Sequence, residues 1–126
     1  MSAKRILVTD DDPSILRLLS VILRRANYHV DTASSGPEAI AKAEETRYDA
    51  MVLDLMMPAM DGVEVLSRLS ARPHKPKFVV IMSAAPPDTI MQAITPHVFA
   101  TLQKPCGIND IVATVGACIA APGAVP

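Results

Sequence analysis

The chain has 126 residues, half of them hydrophobic, and a formal net charge of −1. That size and apolar content fit one domain with a core of its own and exclude intrinsic disorder and a multi-domain enzyme. Twelve Lys and Arg against thirteen Asp and Glu leave no general basic surface, so no direct nucleic-acid binding is expected. The two cysteines, Cys106 and Cys118, form neither a CxxC pair nor a zinc pattern. After Lys4-Arg5 the apolar run stops at three acidic residues, too short for a signal-peptide core. No stretch reaches membrane-spanning length, so no membrane partner and a cytoplasmic location are expected.

Two kinds of segment alternate along the chain. Ile6-Leu7-Val8-Thr9 reads as a buried strand. Asp12-Pro13 reads as a helix start, with Asp at the N-cap and Pro at the first helical position. Ile15, Leu16, Leu18, Leu19, Ile22 and Leu23 then form an apolar stripe, with Arg17, Arg24 and Arg25 facing out. His29–Ala33 is a weaker second strand, and Ser35-Gly36-Pro37 opens a helix bearing Ala39, Ile40 and Ala43. Ala50–Leu53 is a continuous apolar strand ending on Asp54. Asp61-Gly62 leads into a helix with Val63, Val65, Leu66 and Leu69. Arg72 to Lys77 is a polar connector holding two prolines. Phe78–Met82 is the strongest strand and ends on Ser83. Pro86-Pro87-Asp88 starts a short helix with Ile90, Met91 and Ile94, closed by Pro96. Phe99–Gln103 is a fifth strand ending at Lys104-Pro105. The last helix, Ile108–Ala120, carries Ile111, Val112, Val115 and Ile119 on one stripe. Residues 121–126 have the composition of a tail or the start of a linker.

Five β-α units in one chain of this length predict an α/β fold with an open, doubly wound parallel sheet. In such sheets the ligand site lies beyond the carboxyl ends of the strands, at a topological switch point. Strand one ends in Asp10-Asp11-Asp12, strand three in Asp54, strand four in Ser83 and strand five in Lys104. Crowded carboxylates are costly unless a cation compensates. A carboxylate cluster suits the hard oxygen-seeking cation Mg²⁺. With a lysine and a hydroxyl added, the set predicts phosphoryl transfer with an aspartate as acceptor.

The runs Ile6–Pro13 and Asp54–Gly62, with Ser83-Ala84 and Lys104-Pro105, resemble the receiver domain of two-component response regulators. The resemblance covers residues 4 to about 120. It implies a flavodoxin-like sheet of five strands in the order 2-1-3-4-5 with five helices, and a receiver domain over residues 1–120. It implies Asp54 as the phosphoacceptor, with Lys104 and Ser83 completing the catalytic set. Mg²⁺ would be bound by Asp11, Asp54 and the backbone carbonyl of Met56, with Asp10 acting through water. Ser83 would be the switch hydroxyl, Ala84 and Pro105 would be binding positions, and the Lys104–Pro105 bond would be cis.

The implied partners are a sensor histidine kinase or a histidine phosphotransfer protein upstream and an output protein or domain downstream; a homodimer is compatible with the family. The implied activity is self-phosphorylation and autodephosphorylation, not enzymatic turnover of an external substrate. The chain is expected to be either a stand-alone regulator or a piece of a longer protein.

Some positions depart from the family. Strand five has Thr101 where the family usually has an aromatic switch residue. Phe99 is expected on the same face by strand alternation. Cys106 follows Lys-Pro in place of an aromatic. Met56 and Ala85, two residues past Asp54 and Ser83, offer no group to orient a hydrolytic water, which predicts slow autodephosphorylation. Two other readings stand beside the main one: a degenerate receiver acting as a phosphorylation-independent interaction module, and an Asp-nucleophile phosphatase. Met51, Met56, Met57 and Met60 are read as packing residues, and His29, His74 and His97 share no metal-ligand spacing. The two cysteines are read as small buried residues, with oxidation open to Cys106.

Overall fold

The computed structural model describes residues 3–72 and 78–121. Its strands are β1 (Arg5–Thr9), β2 (His29–Ala33), β3 (Ala50–Leu53), β4 (Phe78–Ser83) and β5 (Val98–Gln103). The helices are α1 (Pro13–Arg25), α2 (Gly36–Glu45), α3 (Gly62–Ser70), α4 (Pro87–Gln92) and α5 (Ile108–Ala120). All strand pairs are parallel, and the sheet order is β2-β1-β3-β4-β5. This is the doubly wound parallel sheet expected from the alternation, in the flavodoxin-like strand order that the resemblance implies. Residues 73–77 of the connector read at Arg72 to Lys77, with His74, and residues 122–126 of the tail read at 121–126 lie outside the described residues.

Strand periodicity divides the core into two layers. Leu7, Met51, Leu53, Val79 and Ile81 meet α2, α3 and α4 through Ala39, Ile40, Val65, Leu66 and Ile90. Ile6, Val8, Val52, Val80 and Met82 meet α1 and α5 through Leu19, Leu23, Ile111, Val115 and Cys118. Ile6, Leu7 and Val8 are fully buried, and each such side chain contributes roughly 1.5–3 kcal/mol of transfer free energy. Asp12 caps α1 as read, accepting from Ser14 N at 2.8 Å, and the residues read as opening α2 and α3 also cap them: Ser35 accepts from Glu38 N at 3.2 Å and Asp61 from Glu64 N at 2.9 Å.

The apolar stripes are narrower than the sequence pattern. On α1 the face toward the sheet runs through Leu16, Leu19, Ser20 and Leu23, and Leu18 is 47% exposed. Ser20 is tolerated there because its hydroxyl donates to Leu16 O at 2.7 Å. In the six-residue α4 only Ile90 is buried; Met91 is 67% exposed, and beyond the helix end Ile94 is exposed too. Among the methionines, Met51 and Met57 are buried, Met60 packs on the core and Met56 is exposed.

Strand five departs from simple alternation. Val98 aligns with Val79 and Ala100 with Val80, so Phe99 is the extra residue of a β-bulge. Its ring packs on Phe78, with centroids 5.6 Å apart, on the α1/α5 side. Thr101 aligns with Ile81, whose side chain belongs to the opposite layer. Phe99 and Thr101 therefore do not share a face, and Phe99 does not stand in for an aromatic at 101.

Thr9 is buried, and its Oγ1 has no hydrogen-bond partner among the described residues. An unsatisfied buried hydroxyl costs free energy that a methyl group of the same shape does not. Thr9→Val is accordingly expected to stabilise the fold by about 1 kcal/mol, read as a higher urea midpoint. A lower midpoint would show that the hydroxyl serves the native state.

Candidate functional site

Asp10 and Asp54 are the first residues beyond β1 and β3. The Asp10 N–H donates to Ala33 O at 3.1 Å and the Asp54 N–H to Thr9 O at 3.0 Å, which carries the sheet ladder one step past the strands. From β1 the chain runs outward to β2, and from β3 it runs the other way to β4. The two carboxylates thus stand at the switch point, where the crossovers leave a crevice.

One carboxylate oxygen from each of Asp10, Asp11 and Asp54 lies within 4.8 Å of the others. Asp10 and Asp54 are buried and Asp11 is exposed. Lys104, delivered from the end of β5, closes the cluster: its Nζ donates to Asp10 Oδ2 at 2.6 Å and lies 3.6 Å from Asp54 Oδ2. The lysine is fixed at its own backbone, where Lys104 N donates to Ser83 O at 2.8 Å, and the Lys104–Pro105 bond is cis as expected. The other oxygens of Asp10 and Asp54 are also engaged. Asp10 Oδ1 accepts from Asp12 N at 3.0 Å, and Asp54 Oδ1 accepts from Met56 N at 3.1 Å.

Burial pushes the Asp10 carboxyl above its ordinary range, and the Lys104 hydrogen bond offsets this only in part. Burial also works against the Lys104 charge, but the hydrogen bond and charge of Asp10, with Asp54 beside it, outweigh it and raise the lysine's pKa. The lysine is held as a cation.

Ser83 is fully buried at the end of β4, and its Oγ accepts from Ala85 N at 3.1 Å. Ala84 and Pro105 are exposed beside Ser83 and Lys104. Thr101 is exposed on the edge strand, in register with Ile81, two positions before the Ser83–Gln103 pair. Ala85 is buried in the α2/α3/α4 layer, so a carboxylate placed there would enter the core instead of the rim. Cys106 is only half-buried; burial and then the Asp110 charge push its thiol up, away from the reactive thiolate.

Two residues take on roles that the sequence reading did not assign. Gly62 starts α3 directly beneath Asp54: an added Cβ would lie 2.5 Å from Asp54 O and 2.7 Å from Leu55 Cα. Gln103 reaches from β5 to the β4–α4 loop, with Nε2 donating to Ala85 O at 3.4 Å. The Gly after Asp61 was visible as a helix start; nothing local marked Gln103.

The response regulator receiver domain profile matches residues 6–116 of the chain. The chain belongs to this family. Receiver domains are phosphoacceptors of two-component signalling, not classical enzymes, and they bind Mg²⁺. Among curated relatives, the transcriptional regulatory protein PrrA of Mycobacterium leprae is 36% identical over 124 residues, 98% of this chain and 53% of that protein. The alkaline phosphatase synthesis transcriptional regulatory protein PhoP of Bacillus subtilis is 48% identical over 82 residues, 65% of this chain and 33% of that protein. The chain thus spans about half or less of these relatives' lengths. Among solved structures, the chemotaxis protein CheY4 of Vibrio cholerae matches with a TM-score of 0.82 and 28% identity, covering 93% of this chain and 99% of that one. The response regulator TrrA of Thermotoga maritima, in complex with Mg²⁺-BeF, matches with a TM-score of 0.80 and 28% identity, covering 91% and 98%. Among the described residues no helix is long and apolar enough to cross a membrane.

Proposed function

We propose that Asp54 of this receiver domain is the phosphoacceptor, and that its donor is a phosphohistidine on a sensor histidine kinase or histidine phosphotransfer protein. A carboxylate oxygen of Asp54 attacks phosphorus, the phosphorus–nitrogen bond breaks, and the electron pair returns to the imidazole, which takes up a proton. The observation that carries this reading is the buried Asp54 held against Lys104 and a second buried carboxylate at the switch point. Lys104 and the Ser83 hydroxyl are the donors that would receive the phosphoryl oxygens.

The donor set fits Mg²⁺, since all three side chains offer hard carboxylate oxygens within one small volume. Asp11, Asp54 and the Met56 carbonyl would hold the ion. Both Asp10 oxygens are already engaged, by Lys104 and by Asp12 N–H, which supports its acting through water. When bound, the ion supplies positive charge that offsets the phosphoryl oxygens. The self-catalysed transfer and the later hydrolysis are the only chemistry in this reading, with no external substrate turned over. Residues 1–120 are the receiver domain and 121–126 a tail or linker start; the phosphorylated surface engages a downstream output protein or domain, in the cytoplasm.

The test is intact mass after incubation with a small acyl phosphate and Mg²⁺. Wild-type protein is expected to gain one phosphoryl group only with Mg²⁺, and Asp54→Ala to gain none. A wild-type protein that binds Mg²⁺ yet gains no mass would favour the interaction-module reading. Turnover of a phosphate ester beyond one equivalent would favour a phosphatase.

A further inference from the structure

Ala85 lies in the loop between β4 and α4. Ala85 is buried and holds two hydrogen bonds at once: its N–H donates to Ser83 Oγ at 3.1 Å, and its carbonyl accepts from Gln103 Nε2 at 3.4 Å. Pro86 and Pro87 follow immediately. Their ring-fixed φ angles and missing N–H groups leave little freedom to absorb a movement of Ala85. The loop is also tied into α4, because Ile90 N donates to Pro86 O at 3.1 Å.

A Ser83 hydroxyl that turns toward a phosphoryl group on Asp54 gives up the Ala85 N–H. A buried N–H without a partner is unfavourable, so the residue must shift until it is satisfied again. Its other end is the carbonyl held by Gln103, and the position usually given to an aromatic in strand five is occupied by exposed Thr101. The bulge at Phe99 removes the remaining aromatic to the opposite side of the sheet. Gln103, also exposed and aligned with Ser83 across the β4–β5 ladder, is a β5 side chain whose amide reaches the loop that carries Ala85.

We propose that Gln103 is the positioning residue that couples the Ser83 hydroxyl to α4 and β5, through the carbonyl of Ala85, in place of an aromatic at 101. The proposal rests on the phosphoacceptor reading and extends it to how the modified state is read out. Gln103 touches no reacting atom; its amide sets where Ala85 rests, and the two prolines pass any change to α4.

The experiment uses the full chain with Mg²⁺ and beryllofluoride, a phosphoryl mimic, and follows backbone and side-chain amide resonances by NMR. In wild type, adding the mimic is expected to shift the Gln103 side-chain amide and the backbone amides of Asp88–Gln92 together. In Gln103→Met, which keeps the length but removes the donor, the shifts in α4 are expected to fall at least threefold. Intact-mass phosphorylation of Asp54 in this variant should match wild type. Gln103→Lys restores a donor and is expected to recover most of the α4 response, which a purely structural role would not predict. An unchanged α4 response in Gln103→Met overturns the proposal while leaving the phosphoacceptor reading intact. A wild-type protein that takes neither the mimic nor a phosphoryl group overturns both.

Discussion

Lys104→Met is expected to slow phosphorylation of Asp54 by roughly 100-fold, the scale on which removing one preorganised donor acts. The lysine stands 3.6 Å from Asp54 and 2.6 Å from Asp10, with its side chain mostly shielded from solvent. It is the one side-chain cation that the described structure places against both buried carboxylates. Methionine keeps the stem and removes the charge. The same change leaves Asp10 with its Asp12 N–H bond alone, so stability without Mg²⁺ should fall by roughly 3 kcal/mol, as when one partner of a buried ion pair is deleted. Time-resolved intact mass reads the rate, and urea unfolding at neutral pH reads the stability. Added Mg²⁺ should recover part of the lost stability, since a cation among Asp10, Asp11 and Asp54 replaces the missing charge. Wild-type kinetics in the variant would remove Lys104 from the transfer step.

Gly62→Ala is expected to cost about 3 kcal/mol, at the upper end of what an overpacked methyl group costs. Its Cβ would meet Asp54 O at 2.5 Å and Leu55 Cα at 2.7 Å, and both are backbone atoms that no rotamer can clear. Gly62 N also donates to Leu55 O at 3.0 Å, so relief by moving α3 would break the contact that closes the loop after Asp54. Because the displaced group is the carbonyl of Asp54, the proposed phosphoacceptor, the phosphorylation rate should fall with the stability. Gly116→Ala is the control. It lies inside α5, and its Cβ would meet nothing closer than Tyr28 OH at 3.8 Å. There alanine should stabilise by about 0.5–1 kcal/mol, since it lowers the entropy of the unfolded chain and favours the helix. Urea midpoints of opposite sign for the two variants are the expected result. A neutral Gly62→Ala would mean that the loop after Asp54 yields without cost.

The sequence by itself determined the ten elements, the layer alternation and the polar residues at the strand ends, because these rest on short-range causes. A run such as Ala50–Leu53 is buried on both faces and has no other stable use than a central strand. Asp12, Ser35 and Asp61 cap helices through bonds spanning two or three residues, so their neighbours reveal them. The candidate site residues were legible as a set because strand ends at one rim are brought together by any sheet of this topology.

Other features depended on contacts between segments far apart in the chain. Leu18 fits the helical stripe as well as Leu16 does, and only the angle at which α1 lies on the sheet leaves one outside and the other against the core. The Phe99 bulge arises where β5 meets β4, and a pairing register cannot be read from one strand alone. Asp10 is joined to Lys104 across 94 positions, which is why its engagement by the lysine is a property of the folded chain. The contact of Gln103 with Ala85 and the missing room at Gly62 share that origin: each is set by where two backbones come to rest, and periodicity carries no record of that distance.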